Sequence, residues 1–164
     1  MLEKAKGMPV DQVFLDLEDA VAPLAKSDAR ANIVSALNEG GYDGKVRAVR
    51  VNDWTTQWTH RDVIDVIEGA GQNLDCIMLP KVQTPQQVVA LDLLITQLEK
   101  TIGLDVGRIG VEVQIENALG LTNVDAIAAA SPRDGAGQES PSKNKPSRSR
   151  RSALAAKSEP GRAK

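Results

Sequence analysis

VFLDLEDAV, residues 13–21, sets three carboxylates, Asp16, Glu18 and Asp19, into a run whose other members are all apolar. An ionised group buried there without a partner would cost on the order of several kcal/mol, so the charges need a use or an exit from the core. Strand side chains alternate between faces, which puts Phe14, Asp16 and Glu18 on one side and leaves Asp19 just past the strand end. The apolar residues then anchor a buried strand, and the carboxylates arrive at its C-terminal end.

The same arrangement recurs downstream. Residues 11–19 read as a strand, followed by helical spacing from about Lys26 to Leu37 that GGYDG ends. KVRAVRVN (45–52) is rich in β-branched side chains, and a helix beginning at Thr59 or His60 carries the stripe Val63, Ile64, Val66 and Ile67. DCIMLPKV (75–82) precedes a helix opened by Thr84 as cap and Pro85 at the first helical position, running to about Lys100. RIGVEVQIE (108–116) precedes a helix from about Leu119 to Ala130. Four βα units in succession predict an α/β fold with parallel strands and right-handed crossovers.

Side-chain alternation also sorts the polar residues. Ala48, Arg50 and Asn52 share one face of the second strand, Ile77, Leu79 and Lys81 one face of the third, and Glu112, Gln114 and Glu116 one face of the fourth. Each strand thus delivers its strongest polar residue near its C-terminal end, where parallel α/β folds place their active sites. Charged strand ends can equally meet solvent or pair as salt bridges. Glu18, Asp19, Glu116, Arg50 and Lys81 together combine hard oxygen donors with cations, a set suited to Mg²⁺ and an anionic substrate. His60 is the only histidine, which leaves no His/Cys cluster for zinc and gives that residue a surface or capping role. No GxGxxG or GxxxxGK[ST] loop is present to cradle a nucleotide.

Composition narrows the class further. Aromatics make up 2% of the 164 residues, so the core is built from Val, Ile, Leu and Ala, the palette of parallel strands buried on both faces. No apolar run approaches the roughly 18–20 residues that cross a bilayer, and the N-terminus lacks a secretory h-region, so the chain reads as cytoplasmic without a membrane partner. Cys76, the single cysteine, reads as a buried inert thiol. Residues 1–133 carry 12 Lys and Arg against 19 Asp and Glu, net −7; residues 134–164 carry 8 against 3, net +5. That tail has too little apolar surface to offset the entropy of ordering and is expected to be disordered. Its KNKPSRSRR stretch lacks aromatics, and no nucleic-acid partner is expected.

With these pieces in order, residues 8–133 resemble the HpcH/HpaI aldolase and citrate lyase β-subunit family, near its CitE-like and malyl-CoA lyase members. The matching segments are FLDLEDAVAPLAKSDAR (14–30), VRVN (49–52), DCIMLPKVQTP (75–85) and VQIENALGL (113–121). The resemblance implies a (β/α)8 TIM barrel, of which this chain would be about half, with residues 1–133 as a partial barrel domain and 134–164 as an unrelated basic tail. It implies a Mg²⁺-dependent carbon–carbon lyase that cleaves a 3-hydroxyacyl-CoA thioester, such as malyl-CoA or citramalyl-CoA, to acetyl-CoA and a 2-oxo acid. Glu116 would be a metal ligand and would also touch substrate. Arg50 would hold the substrate carboxylate or carbonyl oxygen, Glu18 and Asp19 would complete the catalytic rim, and Lys81 would bind substrate or serve structurally. The family's second metal ligand, an Asp in a GPxD-like segment after the fourth unit, has no counterpart, since Asp134 lies in a Gly-rich polar stretch. The expectations are therefore impaired turnover, a homo-oligomer as in the family, or, alternatively, a non-catalytic half-barrel that acts only by associating through its open edges.

Overall fold

The structure, a computed structural model, describes residues 2–133, with side chains from residue 4 onward. The expected disorder of the tail, and Asp134, lie outside the described residues. A short helix α1 (Leu2–Lys6) leads into β1 (Gln12–Asp16), α2 (Lys26–Glu39), β2 (Val46–Arg50), α3 (Thr59–Ala70), β3 (Cys76–Leu79), α4 (Pro85–Thr101) and β4 (Gly110–Val113). Two short helices follow, α5 (Ala118–Thr122) and α6 (Val124–Ala128), where the sequence suggests one. Asn123 separates them, turning its side chain out of the helix to donate to Gln83 O at 2.8 Å. The strands form one parallel sheet in the order β1-β2-β3-β4, as the βα repeat requires.

Register gives the two faces different jobs. Leu15, Val49, Ile77 and Val111 lie side by side, and all four are buried against Ile33 and Leu37 of α2, Val63, Val66 and Ile67 of α3, and Leu91 and Ile95 of α4. Phe14, Ala48, Cys76 and Gly110 form the neighbouring row on the opposite face. That second face is concave. On a flat sheet Gln12 of β1 and Glu112 of β4, three strand spacings across and four register positions along, would stand parallel and about 19 Å apart; here Gln12 Nε2 donates to both Glu112 oxygens at 2.8 and 2.9 Å. Curling of this kind is the arc of a barrel wall, which the small side chains Ala48, Cys76 and Gly110 make room for. Cys76 is buried, and burial together with the adjacent Glu112 drives its thiol pKa far up, in agreement with an inert role.

The helices begin where local chemistry directs. Thr84 and Gln87 form a capping box at α4, with Gln87 Oε1 accepting from Thr84 N at 3.0 Å, and Pro85 fills the first helical position. α2 ends at Gly40, whose φ of 76° few other residues adopt. Beyond α6 the chain is fastened by Arg133, buried against α4. Its guanidinium donates to Glu99 Oε1 at 3.0 Å and Oε2 at 2.7 Å, to Thr96 Oγ1 at 2.8 Å and to Ile109 O at 2.7 Å. Burial pushes the Glu99 carboxyl up, but Arg133 and the N–H groups of Ile109 and Gly107 outweigh it and hold the pKa below the usual carboxylate range.

Replacing Arg133 by Met strands a buried carboxylate, and urea unfolding at pH 7 is expected to show a loss of about 3–5 kcal/mol. A group with a depressed folded pKa stabilises above its unfolded value and loses that contribution as pH falls through the folded one. The gap between wild type and variant should therefore narrow as pH drops below about 4.3.

Candidate active site

Charged side chains gather at the C-terminal ends of the strands. Asp16 and Arg50 are the last residues of β1 and β2 and stand in register, so their side chains leave the same face at the same height. Arg50 Nε donates to Asp16 Oδ1 at 2.8 Å and Nη2 to Oδ2 at 2.7 Å, a bidentate fork, and the Phe14 ring lies 5.4 Å from the guanidinium carbon. Asp16 also accepts from Glu18 N at 2.9 Å and Ala20 N at 3.2 Å, which turns the chain out of β1. Burial pushes the Asp16 carboxyl up; Arg50 and those two N–H groups more than reverse it, and the pKa lies below the usual range.

Glu18 is 3% exposed and sits between two cations. Lys81 Nζ lies 2.7 Å from its Oε1, and Arg50 Nη1 lies 3.4 Å from its Oε2. Both contacts are ion pairs; neither oxygen receives an aligned hydrogen bond among the described residues. Asp19 points to solvent and, among the described residues, pairs with Lys81 at 3.5 Å. Glu18 raises the pKa of Lys81 above the ordinary lysine value, with a smaller contribution from Asp19.

Lys81 reaches this rim by a route that strand alternation misses. Ile77 and Leu79 both face the helices, and continued alternation would send Lys81 the same way. Instead Lys81 takes a left-handed conformation, φ 54°, which costs a side-chain-bearing residue about 1–2 kcal/mol and redirects it toward Glu18. The next peptide is fixed on both sides: Val82 N donates to Gln114 O at 3.1 Å, and Val82 O abuts Gly120, where a Cβ would collide with it. Glu116 is exposed, three residues beyond β4 and beside Asn117, whose side chain caps α5 by accepting from Gly120 N at 2.9 Å. His60 is exposed in the first turn of α3, as expected.

The sequence-derived set is thus brought together in part. Glu18, Asp19, Arg50 and Lys81 form one cluster, but Arg50 donates its hydrogen bonds to Asp16 rather than to Glu18 or Asp19. Strand alternation puts Asp16 on one face with Phe14 and Glu18; that it stands beside Arg50 is given by the register of β1 and β2, which alternation does not encode. Lys26, Asn52 and Asp62, all buried behind the rim, complete it, and the last two are joined by a 2.6 Å hydrogen bond. Magnesium prefers six oxygen donors, commonly one or two carboxylates with water. Glu116 offers one, and no group of three His, Cys, Asp or Glu side chains is placed to hold a metal among the described residues. These residues alone do not assemble a metal centre.

A curled run of parallel βα units with its charges at the C-terminal rim has the architecture of part of an α/β barrel. The chain belongs to the HpcH/HpaI aldolase/citrate lyase family, whose model matches residues 1–137. It is 44% identical over 133 residues to the L-malyl-CoA/beta-methylmalyl-CoA lyase of Cereibacter sphaeroides, covering 81% of this chain and 42% of that protein. It is 36% identical over 125 residues to the citrate lyase subunit beta of Escherichia coli, covering 76% of this chain and 40% of that one. The fold matches a magnesium/glyoxylate complex of Haloferax volcanii malate synthase with a TM-score of 0.70 at 23% identity, over 82% of this chain and 43% of that one. The chain therefore spans about two fifths of the length of these relatives. No helix among the described residues is long and apolar enough to cross a membrane.

Gly120→Ala should displace the Val82 peptide, lowering stability by about 1–3 kcal/mol in urea melts. Gly7→Ala, where nothing lies within 4 Å of a new Cβ, should change it by less than about 0.5 kcal/mol.

Proposed function

We propose that this chain carries the Arg50 part of a carbon–carbon lyase site acting on a 3-hydroxyacyl-CoA thioester, such as malyl-CoA or citramalyl-CoA, and releasing acetyl-CoA and a 2-oxo acid. The observation that carries the reading is the Arg50 guanidinium, aimed from a strand end and held by Asp16 through one edge. Of its five N–H groups two are spent on Asp16, leaving others for an anionic ligand. Family membership and the named lyase relatives support the same chemistry.

Cleavage removes the 3-hydroxyl proton and turns that oxygen into the carbonyl of the 2-oxo acid as the C–C bond electrons pass to the acetyl-CoA enolate, whose carbon then takes up one proton to give acetyl-CoA. Negative charge develops on oxygens, and a preorganised guanidinium stabilises it without reorganising. Arg suits the task better than Lys because its planar fork can take a carboxylate in two parallel hydrogen bonds while a second carboxylate fixes its other edge. Glu18 and Lys81 set the charge beside it, Asp19 completes the rim, and Lys81 is available to the substrate's carboxylate. Magnesium dependence is part of the proposal, with Glu116 as its ligand on this chain; no step is assigned to the ion. Cytoplasmic location and a homo-oligomer also belong to this reading. A second reading, association without catalysis, draws on the open edges of β1 and β4, each paired on one side among the described residues.

Incubation with Mg²⁺ and malyl-CoA or citramalyl-CoA should release acetyl-CoA slowly, and Arg50→Lys should reduce the rate roughly 10²-fold. Glyoxylate or pyruvate binding, followed by calorimetry, should be lost in the same variant. Release and binding that ignore the substitution would contradict the assignment of Arg50. Absence of both in a protein that light scattering shows to be a stable oligomer would favour the second reading.

A further inference from the structure

Lys26 opens α2, where the positive end of the helix dipole disfavours a cation, and is only 5% exposed. Its ammonium is nevertheless fully partnered. Nζ donates to Leu17 O and Glu18 O, both at 2.6 Å, and to Asn52 Oδ1 at 2.7 Å, which uses all three N–H groups. The Trp58 ring covers it, with the centroid 5.3 Å away. Asn52 in turn donates through Nδ2 to Leu17 O at 3.0 Å and Asp62 Oδ2 at 2.6 Å, and the buried Asp62 also accepts from Arg30 Nη1 at 3.1 Å. One cation thus ties the ends of β1 and β2 together and joins them to α2 and α3.

This placement bears on Glu18. The Glu18 peptide is gripped from both sides, its N–H by Asp16 Oδ1 and its carbonyl by Lys26. The carboxylate has only ion-pair contacts and no aligned hydrogen bond among the described residues, so its position against Arg50 and Lys81 follows from where the backbone is held. We propose that Lys26 is a positioning residue that fixes the Glu18 backbone and so sets the approach of the Glu18 carboxylate to Arg50 and Lys81. The functional importance of that approach rests on the lyase reading; the positioning itself does not. Lys26 acts through Glu18 and needs no contact with substrate. Burial lowers the pKa of Lys26, while the carboxylates of Asp62, Asp16, Glu18 and Asp19 oppose the shift.

Reductive dimethylation of the whole protein, read lysine by lysine with mass spectrometry, tests this without substrate. In wild type Lys81, held by Glu18, should react more slowly than exposed Lys100. In Glu18→Gln, Lys81 should react roughly threefold faster or more, the effect of about half a pKa unit. Lys26→Met should reproduce that rise with Lys100 unchanged and thermal unfolding still cooperative. If Lys26→Met does not fold, Lys26→Gln, which keeps a donor, must show the rise. An increase in Glu18→Gln without one in the Lys26 variant would overturn the proposal. No change in either would overturn it too, by removing the Glu18–Lys81 pair. The lyase reading is judged separately by acetyl-CoA release and oxo-acid binding, so either can fail while the other stands.

Discussion

Two parallel hydrogen bonds from Arg50 to Asp16 couple the ends of β1 and β2, and the geometry of the rim propagates from them. The same Asp16 carboxylate takes the N–H groups of Glu18 and Ala20 and so decides how the chain turns after β1. That turn carries Glu18 inward between two cations and leaves Asp19 outside. A charged fork of this kind is short and directional, which makes it a better organiser than a solvated ion pair. Without it, both the guanidinium and the following carboxylate would have freedom that the packed strands below do not have.

The sheet supports the rim by separating its two faces. Leu15, Val49, Ile77 and Val111 pack on the helices, so the opposite row carries the residues that curl the arc and project its charges. The N-terminal ends of the strands are charged as well, but differently. Asp75 is clasped by Arg47 at 2.8 Å and approached by Arg108 at 3.5 Å, a closed set that fastens the base. At the C-terminal rim, among the described residues, the Glu18 carboxylate receives no aligned hydrogen bond and Arg50 spends two of its N–H groups on Asp16. Stability at one end and reactive capacity at the other is the usual division in α/β barrels.

Much of this was legible in the sequence because βα alternation and strand periodicity are local signals. The strands, the Thr84–Pro85 helix start and the stripe Val63, Val66 and Ile67 follow from residue spacing alone. The candidate site was legible as a set of strand ends, and the resemblance carried by LEDAV, VRVN, LPKV and IEN implies the chemistry proposed for those ends. Lys81 broke the rule of alternation, since its backbone is left-handed for reasons that lie in Gln114 and Gly120, more than thirty residues away. Asp16 was on the right face, but its bond to Arg50 depends on register, which no single strand encodes. Lys26 and Asp62 belong to helices, and only the fold brings them behind the strand ends. The splitting of the last helix also has a distant cause, the side chain of Asn123 bonding to Gln83 O.

The central claim is that Asp16 holds Arg50 in a partly buried charged fork, and a double-mutant cycle in urea with Asp16→Ala, Arg50→Ala and the pair measures it. With side chains 14% and 18% exposed, the two residues should couple by about 1.5–3 kcal/mol, the range of hydrogen bonds to charged groups. A coupling below about 0.5 kcal/mol, as in many exposed ion pairs, would contradict the account.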